Sequence, residues 1–455
     1  MRQSSSTAEG LVDSLFGNPA VDAAVSDPAW LQAMLDVEAG LAQVESDAGL
    51  IPAAAAAEIV AACRAELFDL ADIGQRSLAA GNPAAPLARA LTEAVSAEAQ
   101  PYVHLGATSQ DIIDTAMSLM AQRVLDVVLE DLAAVASACA TLADDHRTTL
   151  MTARTLLQPA LPTTFGLEAA IWLSGIDAAR VLVTNVRFER LAVQLGGAAG
   201  TLASLRGRGV DIVHRLAEHL GLAEPVVPWH TDRTRLAELA AALGITCGVL
   251  GKMARDITLL AQAEVAEVVE GEGSDHGTSS TLPQKRNPVR SVLIIAAAER
   301  APGLVSTAFH TLVQEHERAA GAWHAEWETI RALLRITGGA CHHAVALSGS
   351  LRVNATRMKE NLASDGGLMM AENLAHRLSQ HISRSAANDI VRRCTLEAIE
   401  HRVAFAQVLK QDADVRRHLT EQQIVDALEP AEYLGSIDEL IQRAHDAHRA
   451  VGGQS

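Results

Sequence analysis

Apolar residues recur at steps of three and four over much of this chain, the spacing that lays a single stripe along a helix. The first stripe, Leu31, Met34, Leu35, Leu41 and Ala42, follows Ser26-Asp27-Pro28. A serine oxygen can cap the free N–H groups of a helix start, and proline in the first turn forfeits no hydrogen bond, so a helix is predicted from there to Gly49. A second stripe begins near Asp111 and runs through Val124, Leu125, Val128 and Leu132 toward Asp145. The longest extends from Asp232 to about Glu270, with Leu236, Leu239, Leu243, Thr246, Leu250, Met253, Ile257 and Leu260 in heptad register. A helix of that length spans about 55 to 60 Å, more than one domain, so part of it should pack against other subunits. Gly244, Gly248 and Gly251 weaken it by up to about 1 kcal/mol each relative to alanine, a loss that close approach of a neighbouring helix would offset.

The pattern breaks after Glu270 at a polar segment, Gly271-Glu-Gly-Ser-Asp-His-Gly-Thr278, which reads as a mobile loop. A new helix is expected at Asn287-Pro288, and beyond Arg352 the elements become shorter and more charged. The expected domains are 1–106, a central long-helix domain 107–350 and a small helical domain 351–455. With 49% apolar residues but only 3% aromatics, the core must be built mainly from Ala, Leu and Val, which favours an all-α fold with a central bundle of long helices. A net charge of -18 disfavours nucleic acid and anionic membrane. The five cysteines, Cys63, Cys139, Cys247, Cys341 and Cys394, form no CxxC pair and suggest buried thiols in a reducing compartment. Met1 to Glu9 lacks an apolar signal core, and no run of about twenty apolar residues is free of charge, so a soluble cytoplasmic protein is expected.

Three polar patches interrupt the apolar pattern: His104-Leu-Gly-Ala-Thr-Ser-Gln-Asp111; Arg154-Thr-Leu-Leu-Gln158 with Pro162-Thr-Thr-Phe-Gly166; and Thr278-Ser-Ser-Thr-Leu-Pro-Gln-Lys-Arg-Asn-Pro288. All three are expected near helix ends, where free N–H groups and hydroxyls can receive carboxylates. A small polycarboxylate is the ligand such a receptor fits. Metal and nucleotide motifs are incomplete. His324-Ala-Glu326 has no P-C-x-x-C after it, His316-Glu has no second histidine at metalloprotease spacing, and Gly271-Glu-Gly273 lacks a third glycine. Neither a metal nor a cofactor is expected.

The segment Ser279 to Pro288 resembles the signature loop of the fumarase/aspartase superfamily, SSxMPxKxNP, with Thr278 for the usual preceding glycine and Leu282 for methionine. The other two patches match further superfamily regions in the same order. The resemblance implies homotetramers whose active sites are each shared by three subunits. It implies Ser279 as the residue that moves the proton, Lys285 and Asn287 as holders of the developing aci-carboxylate, and Thr108, Ser109 and Gln110 as binders of a second carboxylate. Asp111 and Gln158 would order the site. His104 either binds substrate or anchors its loop, and Trp323 and Trp327 either pack in the core or line the site mouth.

Members that expel an amine or nucleotide carry histidine in an RTHxQ segment, where this chain has Leu156 between Arg154 and Gln158. Gly81-Asn-Pro83, Pro228-Trp-His-Thr-Asp-Arg233 and the run Gln314 to Trp327 resemble the carboxymuconate cycloisomerase branch instead. That branch implies lactone closure with one proton donor, and makes Arg154, Arg206, Arg208, Arg233 and Arg235 candidate partners for substrate carboxylates. The alternatives are β-elimination from a substituted succinate such as nitrosuccinate, more remotely adenylosuccinate lyase activity, and a catalytically silent protein that keeps the scaffold.

Overall fold

Residues 12–271, Gly277, Leu282 and 285–453 are described by a computed structural model. Ser279 and most of the glycine-rich segment before it lie outside the described residues.

The chain is helical, with two short two-stranded sheets. Helix α1 (Asp27–Asp47) starts as its sequence dictates: the Ser26 hydroxyl accepts from the Ala29 N–H at 3.3 Å and Pro28 occupies the first turn. After α2 (Ala53–Ala62) the chain reaches α3 (Ser109–Asp145), and then a hairpin of β1 (Leu150–Thr155) and β2 (Gln158–Thr164). It continues through α4 (Phe165–Asn185), α5 (Gly209–Leu220), α6 (Thr234–Leu260), the short β3 (Val268–Val269), α7 (Val289–His310) and α8 (Ala322–Ser350). Strand β4 (Arg352–Val353) pairs with β3, and the helices between Ala355 and Gly452 are at most 18 residues long.

All eight heptad residues of α6 are buried. A Cβ at Gly244 or Gly251 would lie 2.6 Å from Val305 or Ala298 of α7, so these two glycines do permit close helix approach, whereas Gly248 faces open space. The helix is shorter than its pattern suggested. It ends at Leu260, about 40 Å from its start, and not near Glu270. Continued in register, the seam would place Glu264 and Glu267 on the core face; instead Ala266 turns the chain with a φ of +52°. Glu267 is then buried where cationic and amide partners meet it.

Two compact units are formed. The first comprises Met1–Ala134, Ala178–Ala254 and Arg290–Ala346, the second Val135–Asp177, Arg255–Val289 and Leu347–Ser455. Within the first unit, residues 13–22 lie along α8. Arg335 pairs with Asp13 at 3.0 Å and Asp22 at 2.9 Å, and His343 Nε2 lies 2.8 Å from the Leu15 carbonyl. Gly339 makes this possible, since a Cβ there would sit 1.7 Å from the Phe16 carbonyl oxygen. Within the second unit, Leu374, Val391, Cys394, Phe405, Leu409 and Ile424 form a core of their own. All five cysteines are buried free thiols.

Three helices, Phe165–Arg190, Thr234–Leu260 and Val289–His310, are apolar and long enough to cross a membrane by length and composition alone. The apolar windows of the first two are 50% and 56% buried within the chain, but that of the third is only 22% buried. Val289 and Val292 on α7, with Ile171, Val181 and Leu182 on α4 and Ile245 on α6, are exposed apolar side chains on these helices.

Candidate active site

In the first unit, the loop before α3 is organised by Asp111. Its carboxylate accepts the N–H groups of Thr108 at 3.0 Å, Gly196 at 3.0 Å and Gly197 at 2.9 Å, and His230 Nε2 lies 2.7 Å away. A fully buried carboxylate with this many donors orders the loop rather than meeting a ligand. Gly106 is required where it stands: its φ is +74°, and a Cβ would be 2.5 Å from Leu205. Thr108 and Ser109 remain half-buried at the start of α3. Gln110 does not join them, because it is buried and its amide donates to the His230 carbonyl at 2.8 Å and Asp114 at 3.2 Å. It braces the start of α3 from behind.

Arg233 is likewise turned away from any substrate carboxylate. It is buried, forks onto Asp114 at 2.8 and 3.0 Å, and donates to Glu326 at 2.6 Å. Burial opposes its charge, but the two carboxylates more than compensate and hold its pKa above the usual arginine value. Burial raises the Glu326 pKa despite Arg233. Trp323 belongs to the same network, donating from Nε1 to Asp114 at 2.9 Å, so it is a core residue; Trp327, half-buried, packs edge-on against it and against Trp30. Arg208 donates to the Ala48 carbonyl and pairs with Asp211, and Arg235 donates to the Arg190 carbonyl. Arg206 is different: it is exposed, with a φ of +49°, next to the Leu205 that covers Gly106.

His104, at a φ of +60°, places Nδ1 2.6 Å from Glu38 Oε1. Burial lowers its pKa, but the Glu38 charge and hydrogen bond, with Asp111 and Glu45 beyond, overcome this and leave it above the ordinary histidine value.

In the second unit, the Arg154 to Gln158 patch is the tip of the β1–β2 hairpin and not a helix end. Two-residue hairpin turns often require positive φ at both central residues; here these are Leu156 and Leu157, at +51° and +66°. Both are exposed, Leu156 by 96%. Arg154 makes a two-pronged pair with Glu267 at 2.8 and 2.9 Å, and Asn361 donates to the same carboxylate at 2.7 Å. Its charge is thereby committed inside the unit, whereas Gln158 is exposed beside it. At the signature loop, Lys285 is exposed and its N–H donates to the Leu282 carbonyl. Asn287 folds back, donating from backbone N–H and Nδ2 to the Gly277 carbonyl at 2.8 and 3.1 Å.

Sequence reasoning assigned no role to Glu38, Asp114, His230, Glu267 and Glu326. Four are carboxylates that hold an arginine, a histidine or a loop in place. Their signal was acidic residues within apolar helical stripes or at the point where a stripe ends.

Residues 13–303 match the lyase family and residues 367–444 the adenylosuccinate lyase C-terminus family. A 3-carboxy-cis,cis-muconate cycloisomerase from Pseudomonas aeruginosa is 44% identical, with 98% of each chain covered. A nitrosuccinate lyase from Streptomyces davaonensis is 41% identical, covering 96% of this chain and 94% of the other. The crystal structure of 3-carboxy-cis,cis-muconate lactonizing enzyme from Pseudomonas putida superposes with a TM-score of 0.91 at 40% identity, covering 97% of this chain and 99% of that one. With its helical fold and its three ordered motifs, the chain belongs to the lyase family and to the fumarase/aspartase superfamily.

Proposed function

We propose that this chain is a cycloisomerase that closes 3-carboxy-cis,cis-muconate to 4-carboxymuconolactone. The observation that carries this reading is Leu156. The hairpin tip offers an exposed aliphatic side chain where relatives that expel an amine hold a histidine acid. Lactone closure has no need of a second acid. A substrate carboxylate oxygen adds to one carbon of the conjugated system, the double-bond electrons move toward the neighbouring carboxylate, and one proton is delivered to the carbon beside it. Ser279 would deliver that proton and act as base in the reverse direction. Lys285 and Asn287 would stabilise the charge as it builds on the aci-carboxylate. Thr108 and Ser109 would bind a second carboxylate, with Arg206 and Gln158 the exposed polar groups left for a third. The chemistry is written without metal or cofactor.

Assembly as a homotetramer belongs to the same proposal. The poorly buried apolar face of α7 and the exposed residues on α4 and α6 are surfaces that other copies would cover, consistent with a soluble cytoplasmic enzyme. The sites would then be shared between subunits, which brings the patches of different chains together.

A second reading is kept because a nitrosuccinate lyase is 41% identical, and elimination of nitrite could also dispense with the histidine acid. The test is loss of conjugated-diene absorbance from 3-carboxy-cis,cis-muconate with lactone formed, against nitrite release from nitrosuccinate. Ser279→Ala should abolish turnover with the assembly intact, and a variant retaining more than about a tenth of the activity would move the proton transfer elsewhere.

A further inference from the structure

We propose that Glu38 is a positioning residue that sets the orientation and charge of His104, making that imidazole a carboxylate-binding cation on the loop that also carries Thr108 and Ser109. The inference rests on the reading of that loop as a carboxylate receptor.

The geometry begins in α1. Glu38 and Glu45 stand seven and fourteen residues after Leu31, on the stripe that α1 buries, and both are almost fully withdrawn from solvent. Glu38 Oε1 engages His104 Nδ1 at 2.6 Å, while its Oε2 is buried without a hydrogen-bond partner among the described residues. Tying Nδ1 to a carboxylate puts a proton there and fixes the ring plane, so the other nitrogen, Nε2, is the group the ring can offer outward. The His104 side chain is 21% exposed against 2% for Glu38, so an edge of the ring reaches the surface. No hydrogen-bond partner for Nε2 is found among the described residues. His104 also pays backbone strain at its positive φ, a cost typical of residues held for a purpose.

Glu45 lies behind this pair. Neither of its carboxyl oxygens has a hydrogen-bond partner among the described residues, and its pKa is pushed up to about 8, first by burial and then by the Glu38 charge, with His104 opposing. It therefore keeps its proton at neutral pH. The other titratable groups around them are Asp111 at the start of α3, Cys63 at the end of α2 and His219 of α5, which faces Gly40. Among these, His104 is the one group that can carry positive charge and also lies in the receptor loop.

The test uses the assembled enzyme with ¹³Cε1-labelled histidine, the His104 resonance being assigned by its loss in His104→Gln. In the wild type it should titrate above the ordinary histidine value and should move when tricarballylate, a saturated tricarboxylate, is added. In Glu38→Gln its titration should fall by more than about one pH unit. For turnover, Glu38→Gln should raise KM about tenfold or more with kcat nearly unchanged, as expected for losing a charge-assisted hydrogen bond to bound substrate. The rise of KM at alkaline pH should begin at lower pH, and Glu38→Asp should restore part of the loss. An unchanged His104 titration in Glu38→Gln, or equal losses in kcat and kcat/KM without a shifted pH profile, would overturn the proposal. If Glu38→Gln fails to assemble, the wild type decides: an ordinary titration, or a resonance indifferent to tricarballylate, sinks it. Because that probe is not the substrate, failure to turn over carboxymuconate would overturn the substrate reading alone.

Discussion

The carboxylates around Arg233 and those around His104 are both withdrawn from water, but they are neutralised differently. Asp114 and Glu326 face a permanent cation that donates to both, and Trp323 and Gln110 complete the shell of Asp114. Glu38 and Glu45 share one imidazole, and three of their four oxygens have no hydrogen-bond partner among the described residues. A permanent cation enclosed by its partners makes a rigid frame. A titratable charge left partly unsatisfied can be moved by a nearby ligand or proton, and it borders the loop where a carboxylate would bind.

Removing the cation from the first group should have the largest effect. Arg233→Met leaves Asp114 and Glu326 buried with no positive partner, and should cost about 3–5 kcal/mol in urea unfolding at fixed protein concentration. A loss under about 1 kcal/mol would mean that water reaches this pair and that the frame is softer than its geometry implies. Arg154→Met, which strips Glu267 in the second unit, should cost less, about 2–3 kcal/mol. Asn361 still donates to that carboxylate, and Arg154 is itself 26% exposed. The effect that best separates the two groups is a change of slope. The folded chain keeps the Glu45 proton to about pH 8, while the unfolded chain releases it near 4.5, so folding binds a proton between these values. Stability from this group falls as pH rises across that window and levels off above it. Glu45→Gln should flatten the decline, leave stability below pH 4.5 nearly unchanged, and give its greatest relative gain above pH 8. An undiminished slope would place the titration elsewhere.

The sequence revealed most where one residue acts locally. Ser26 and Pro28 start α1, and Asn287-Pro288 leads directly into α7, because caps and proline act on the adjacent turn. The α6 seam was readable for the same reason, residue by residue, to Leu260. Its end was not. Glu264 and Glu267 fall within the helix the pattern predicts to Glu270, but Glu267 is buried because Arg154, 113 residues earlier, meets it. The hairpin was hidden too, since Leu156-Leu157 lacks the Asn-Gly or Asp-Gly that usually marks such a turn. Arg233 looked like a free cation because its partners are 119 and 93 residues away. Thr108 and Ser109 were placed correctly at a helix start, but the inward turn of Gln110 depends on His230 and Asp114. Glu38 and Glu45 could have been noticed, since acids on an apolar stripe need a reason to be there.

Gly339 has a consequence for the order in which the chain is made and closed. The segment it admits meets Arg335 and His343 only 313 and 328 residues later in the chain. At the rate of ribosomal synthesis, that segment waits on the order of tens of seconds for its docking surface. Helix α1 can pack on its neighbours long before then, while the contacts of residues 13–22 with α8 cannot form until α8 has emerged. Their closure over Gly339 is therefore a late event, recording that the helices between them have already been made.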